Sequence, residues 1–183
     1  MMGYNAKGIS NMKYLFYVDS PVGGLGIMEE THKIAGVFFK NGKKEPKPAA
    51  GFTIAETALI KKTAVQLEQY FRGRRKTFDI PLLLKGTAFQ TAVWNALLQI
   101  PYGETRSYKE AAAMAGNAKA CRAAGMANNR NPIAIIVPCH RVIGADGSLT
   151  GYGGGLEKKQ YLLELEGALK NPARRIFSGI YRP

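Results

Sequence analysis

The residues best suited to chemistry are Pro138-Cys139-His140-Arg141-Val142, where an adjacent cysteine and histidine follow the apolar run 133–137. A thiolate is the reactive form of cysteine, and a nearby base or cation promotes it. His140 could take the thiol proton, and a carboxylate could orient the imidazole, as in a nucleophile–base–carboxylate triad. Asp146, Glu157, Glu164 and Glu166 are the downstream carboxylates open to that role. The run 133–137 reads as a β-rich segment closed by Pro138. Neighbours in a strand face opposite ways, so a direct thiol–imidazole bond needs a turn after Pro138, or a bridging water. A buried, inert cysteine at a strand end is the plainer alternative.

A second constellation lies just upstream. Arg106, Lys109, Lys119, Arg122, Arg130 and Arg141 fall within 105–141 against the single carboxylate Glu110. Ser107 suits the N-cap of a helix over 108–115, with Glu110 completing a capping box. Gly116-Asn117 turns the chain, and 118–128 reads as a second helix, giving a helix-turn-helix. In that helix Ala118, Ala120, Ala123, Ala124 and Gly125 are small, so its backbone could approach a groove wall while Lys119 and Arg122 meet phosphates. Apart from Asn128, Asn129 and the arginines it offers few side chains to read bases. Sequence-tolerant, minor-groove contact follows. An Ala-rich helix that merely packs on a neighbour has the same composition.

Other elements must carry these groups. Residues 13–18, 25–29 and 34–39 alternate and are rich in β-branched and aromatic types, which predicts a β-meander. Asn41 to Pro48 reads as a loop, and 55–70 as a helix with Ala58, Leu59, Lys62, Val65, Leu67 and Phe71 in its stripe. Residues 78–82 are a short strand or an extended connection. Thr87 caps a helix over 88–98 with Ala88, Val93, Trp94, Leu97 and Leu98 buried. The expected class is α/β (α+β): a small meander-plus-helix lobe over 1–80, then a mainly helical lobe over 81–183 holding the helix-turn-helix and Cys139.

With 183 residues, 46% apolar, the chain is globular rather than disordered in composition. No apolar stretch approaches the ~20 residues of a membrane helix, and the amino terminus lacks the apolar core of a secretory signal. A cytoplasmic, reducing setting is expected. Two cysteines are too few for a disulfide scaffold, and with His32 the only spare imidazole no zinc site assembles. The net charge of +13 favours an anionic partner, nucleic acid before membrane. It is shared by both lobes: 13 basic residues against 7 acidic up to residue 80, and 13 against 6 after it.

Pro138-Cys139-His140-Arg141-Val142 resembles the signature of the O6-alkylguanine-DNA alkyltransferases, the methylated-DNA–protein-cysteine methyltransferases. Ile100-Pro101-Tyr102-Gly103-Glu104-Thr105, Ser107-Tyr108, Ala115-Gly116-Asn117, Ala123-Ala124-Gly125, Asn131-Pro132 and Gly151-Tyr152-Gly153-Gly154-Gly155-Leu156 follow that family's order and spacing. So does the stretch from Lys159 through Leu162-Leu163 to Glu166-Gly167. The resemblance is tight over 87–168 and makes 12–73 the family's looser, ribonuclease-H-like lobe.

The resemblance implies Cys139 as alkyl acceptor, His140 as its water-linked base, Glu166 as the carboxylate behind His140, and Asn131 as the brace of the active-site turn. It implies Tyr108 as the residue crowding the phosphate and donating a proton to the leaving guanine, and Arg122 as the finger filling the space of the flipped base. Asn117, Lys119, Ala120, Ala123 and Gly125 would lie against DNA. The Val142 carbonyl and backbone groups near Tyr152, Gly153 and Gly154 would read the guanine. Gly153 stands where some relatives have serine, and Cys121 has no role in the pattern. The implied activity is single-turnover transfer of an alkyl group from O6-alkylguanine, and O4-alkylthymine, in duplex DNA. It would be carried out by a monomer without cofactor or metal. A Cys-His hydrolase would instead turn over repeatedly and leave Arg122 unused. A non-reactive lesion-binding protein would lack the cysteine.

Overall fold

The computed structural model describes residues 12–40 and 51–169; the loop expected over 41–48 lies outside them. The chain divides into two compact units, 1–83 and 84–183, and its class is α+β as the sequence implies.

In the first unit β1 (Lys13–Val18), β2 (Leu25–Glu30) and β3 (Lys33–Phe39) form the expected antiparallel meander. A fourth strand, β4 (Thr53–Ile54), adds to β1 in parallel, giving the order β3-β2-β1-β4. Two residues, Thr31 and His32, join β2 to β3 with φ of 48° and 57°, the left-handed pair that a tight hairpin demands. Residues 78–82 contribute one bridge only, Leu82 to Ile34. Helix α1 (Ala58–Phe71) starts at the Thr57 cap and covers the sheet. Its buried side is Ile60, Thr63, Gln66, Leu67, Tyr70 and Phe71, rotated from the expected stripe, and Val65 faces out. The aromatic pair near the end of the helix outweighs the smaller residues of the opposite side.

Among the described residues, the second unit packs four helices around an irregular buried segment. Thr87 caps α2 (Ala88–Leu98) in a full capping box with Gln90. Its buried residues are Val93, Trp94, Ala96 and Leu97, whereas Ala88 and Leu98, expected inside, are exposed. Ser107 and Glu110 form the capping box of α3 (Tyr108–Met114). Gly116, at φ 90°, follows, and α4 (Cys121–Asn129) completes the helix-turn-helix. Helix α4 begins later than position 118 because Asn117 holds a turn: its Oδ1 accepts from the Lys119 N–H and its carbonyl from the Ala120 N–H. Helix α5 (Leu156–Leu165) closes the unit.

Residues 133–137 are not a strand. They turn on themselves, with Val137 N–H donating to Ile133 O (3.0 Å), Ile136 N–H to Ala134 O (2.9 Å), and Ile135 at φ 72°. Continuous burial, not sheet pairing, explains their apolar run, because all five residues are buried. Among the described residues, no helix is long and apolar enough to cross a membrane.

Trp94 ties α2 to α4 by donating its indole N–H to Ala127 O at 2.9 Å. Trp94→Phe removes this buried inter-helix hydrogen bond, leaving Ala127 O with the Arg130 N–H at 3.1 Å, and is expected to lower the unfolding free energy by about 0.5–1.5 kcal/mol, read from the denaturant midpoint.

Candidate active site

Pro138 ends the buried turn, and Cys139–Arg141 form one turn of 3-10 helix. The strand β6 (Val142–Ile143) leaves it and pairs in parallel with β5 (Arg106–Ser107). That short pairing sets the start of α3, and with it Tyr108, beside the nucleophile.

Cys139 is 5% exposed. Its Sγ accepts a hydrogen bond from Asn131 Nδ2 at 3.0 Å. Asn131 also donates to Val137 O (2.8 Å) and accepts from the Ile133 N–H (3.0 Å), so one carboxamide shapes the turn and touches the thiol. Burial pushes the Cys139 thiol up. The Asn131 hydrogen bond, the Lys159 ammonium and the N–H groups of Cys139 and His140 act against it.

His140 is fully buried, and its Nε2 lies 2.9 Å from Glu166 Oε1. Arg141, one of the six cations counted towards the basic face, is instead internal. Its Nε donates to Glu166 Oε2 (2.8 Å), its Nη2 to Oε1 (2.9 Å) and its Nη1 to Ile100 O (2.6 Å). The Gly103 N–H adds a fourth donor to Glu166, at 3.2 Å from Oε2. Gly103 sits at φ 80°, and a Cβ there would lie 3.0 Å from Glu166 O, so both the backbone angle and the space require glycine. Burial would raise Glu166, but hydrogen bonds and charge from His140 and Arg141 outweigh it and hold the carboxyl at about 2. Burial pushes His140 down despite Glu166, and Arg141 and Lys159 add to the effect. With Glu166 ionised, Nε2 carries the imidazole proton and Nδ1, buried and without a protein partner, is the open acceptor.

Tyr108 donates its hydroxyl to Thr150 O at 2.9 Å. Its ring faces Gly125 of α4, and Gly151 (φ 51°) approaches its oxygen so closely that a Cβ would lie 3.2 Å away. Burial raises the phenol, so it keeps its proton at neutral pH. Lys159 is fully buried and donates to both Val142 O and Thr150 O at 2.6 Å, and burial lowers it to about 8. Tyr152 has a buried hydroxyl whose raised pKa, due first to burial, also reflects the Cys139 and Glu166 charges.

The fold thus gathers Cys139, His140, Glu166, Asn131, Tyr108, Val142 and Tyr152 into one region, with Gly153 and Gly154 on the adjoining loop. Asp146 instead caps its own turn at Ser148. Glu164 accepts from Gln160, and Glu157 is exposed in the first turn of α5. Asn117, Lys119, Arg122 and Ala123 are exposed on the helix-turn-helix, and Ala120 and Gly125 are half-buried. Cys121 is half-buried at the first position of α4. Arg141 and Lys159 are the functional candidates that sequence reasoning passed over. A lysine on the same helical stripe as Leu162 and Leu163 was the available signal. Among the described residues, no cluster of three or more His, Cys, Asp or Glu is placed to hold a metal.

A family profile described as the 6-O-methylguanine DNA methyltransferase DNA binding domain matches residues 88–168, and one described as its ribonuclease-like domain matches 12–84. A methylated-DNA–protein-cysteine methyltransferase of Methanosarcina acetivorans is 50% identical over 155 residues, covering 85% of this chain and 99% of the relative. That of Mycobacterium tuberculosis is 48% identical over 149 residues, covering 81% and 89%. The crystal structure of the M. tuberculosis O6-methylguanine methyltransferase superposes with a TM-score of 0.78 at 48% identity, covering 88% of this chain and 96% of that one. The same protein in complex with DNA gives 0.77 at 46%, covering 85% and 93%. Fold and site define a class of methyltransferase in which a buried cysteine is carried beside a DNA-binding domain. The chain belongs to the methylated-DNA–protein-cysteine methyltransferase family.

Glu166 stabilises the folded state above the ordinary carboxylate range and loses that contribution as pH falls towards 2. His140, held neutral when folded, binds protons more readily when unfolded, so acid acts in the same direction. Thermal melts from pH 7 to pH 2 are expected to show a falling acid limb. In Glu166→Gln, Arg141 is left buried without its counter-ion. Neutral-pH stability should drop by about 3–5 kcal/mol and the acid limb should flatten.

Proposed function

We propose that this protein repairs DNA by direct, irreversible transfer of the alkyl group of O6-alkylguanine, and of O4-alkylthymine, to Cys139. The observation carrying this reading is one buried thiol beside an imidazole whose proton is fixed on the far nitrogen, next to a basic helix-turn-helix. Residues 1–80 act as the ribonuclease-H-like lobe and 81–183 as the alkyltransferase lobe. The protein acts as a monomer in the reducing cytoplasm, on double-stranded DNA.

An alkylated oxygen on a stacked guanine is out of reach of a buried sulfur, so the nucleotide must be flipped out, at a cost of a few kcal/mol. Arg122 enters the duplex in its place. Lys119, with the backbone at Asn117, Ala120, Ala123 and Gly125, lies against the groove. The Val142 carbonyl and the backbone at Tyr152, Gly153 and Gly154 read the base. Asn131 holds Sγ while the thiol proton passes to His140 Nδ1, linked through water, and Glu166 stabilises the imidazolium. The thiolate attacks the alkyl carbon in line. The S–C bond forms, the C–O6 bond breaks, and Tyr108 donates its proton to the departing guanine. The product thioether has no acyl carbon for water to attack, so each molecule reacts once. This separates the reading from a Cys-His hydrolase, whose thioester would be cleaved. It also separates it from a non-reactive lesion binder, which needs no thiol.

Incubation with a duplex carrying O6-methylguanine should add one methyl group to the peptide containing Cys139, with repair stoichiometric in protein. Continued turnover, or unimpaired repair by Cys139→Ala, would refute the mechanism. Arg122→Ala should slow transfer from duplex DNA at least about tenfold while leaving transfer from free O6-benzylguanine within about twofold. Equal losses would remove the finger role.

A further inference from the structure

The outer side of α4 carries one long apolar side chain, Met126, which is 59% exposed. The helix buries Ala124, Ala127 and Asn128, while Arg122, Ala123, Met126, Asn129 and Arg130 face outward. Arg122 and Met126 are four residues apart and share one face, about 6 Å from each other. Three residues further on, Asn129 Oδ1 lies 3.5 Å from where a Cβ on Gly153 would stand. The exposed stripe Arg122–Met126–Asn129 therefore runs from the finger position to the base-reading loop.

Charge identifies the occupant of this face. Residues 117–131 contain Lys119, Arg122 and Arg130 and no carboxylate, which suits a polyanion and disfavours an apolar protein partner. Around Met126 the exposed neighbour Ala123 is small and Gly125 has no side chain, so the thioether stands clear of the helix. Duplex DNA offers a matching surface in the minor groove, where sugar C–H groups and base edges lie between two phosphate walls. Apolar wedges such as methionine unstack base steps there.

We propose that Met126 is a second minor-groove contact, one helical turn from Arg122, that packs against the sugars and the opened step beside the flipped nucleotide. It favours extrusion of the base by burying apolar surface only when the groove is widened. The proposal rests on the alkyltransferase reading.

The test compares Met126→Ala and Met126→Leu with the unaltered protein on an O6-methylguanine duplex, on free O6-benzylguanine, and in binding to undamaged duplex. Met126→Ala should slow duplex transfer and weaken undamaged-duplex binding by about fivefold each. Met126→Leu should stay within about twofold, and reaction with the free base should be unchanged in both. The salt dependence of binding should keep its slope, because no phosphate contact is lost. Undiminished duplex transfer and binding in Met126→Ala would overturn the proposal, as would a parallel loss on the free base. Loss of self-association with duplex transfer and binding intact would overturn it in favour of a second copy of the chain. If the unaltered protein transferred alkyl from neither substrate, the alkyltransferase reading would fail, while the undamaged-duplex measurement would still decide whether Met126 touches DNA.

Discussion

A single buried carboxylate organises the reactive half of this protein. Glu166 accepts from His140, twice from Arg141, and from the Gly103 N–H. An ion removed from water is tolerable only with such complete pairing. The donors come from two elements distant in sequence, the turn after α2 and the 3-10 turn, and all converge on the last turn of α5. Because one charge must be satisfied by both at once, their relative placement has little freedom. The imidazole next to the thiol inherits that rigidity. Arg141 neutralises Glu166, so the histidine need not be charged, and a neutral histidine retains a lone pair to receive a proton.

The nucleophile itself is treated differently. Cys139 is buried and its thiol is held up rather than ionised outright, with Asn131, not the histidine, as its hydrogen-bond partner. A hydrolase would need a thiolate poised against an imidazole and open to repeated entry of water. Here the sulfur is buried, and its hydrogen-bond partner is a carboxamide. Such a group is slow towards casual electrophiles and depends on a substrate that fits its niche.

Much of this was legible in the sequence, and the rest was hidden for identifiable reasons. Capping residues Thr87 and Ser107 announced α2 and α3 because N-caps act locally. The meander was visible in its alternation. The buried run 133–137 was misread as strand because burial on all sides erases periodicity, and only the Asn131 side chain, bonded to Ile133 and Val137, distinguishes turn from strand. The motif Ile100-Pro101-Tyr102-Gly103 stood out as a pattern, but its task did not. Ile100 O receives Arg141, Tyr102 donates to Leu165 O, and Gly103 caps Glu166. Arg141 was counted with the basic face and Lys159 was given no role, because sequence alone does not reveal that a cation is internal. The choice of Glu166 over Glu164 was settled by facing: Glu166 turns towards the 3-10 turn, whereas Glu164 pairs with Gln160.

The carbonyl of Thr150 carries two donors at once, the Tyr108 hydroxyl and the Lys159 ammonium. That redundancy makes the tyrosine a detachable guest. When its proton turns towards another acceptor, the lysine still satisfies the carbonyl it leaves, and no orphaned polar group is created. The glycine-bordered loop need not rearrange for the handover. A side chain with an understudy in place can change partners at almost no conformational penalty.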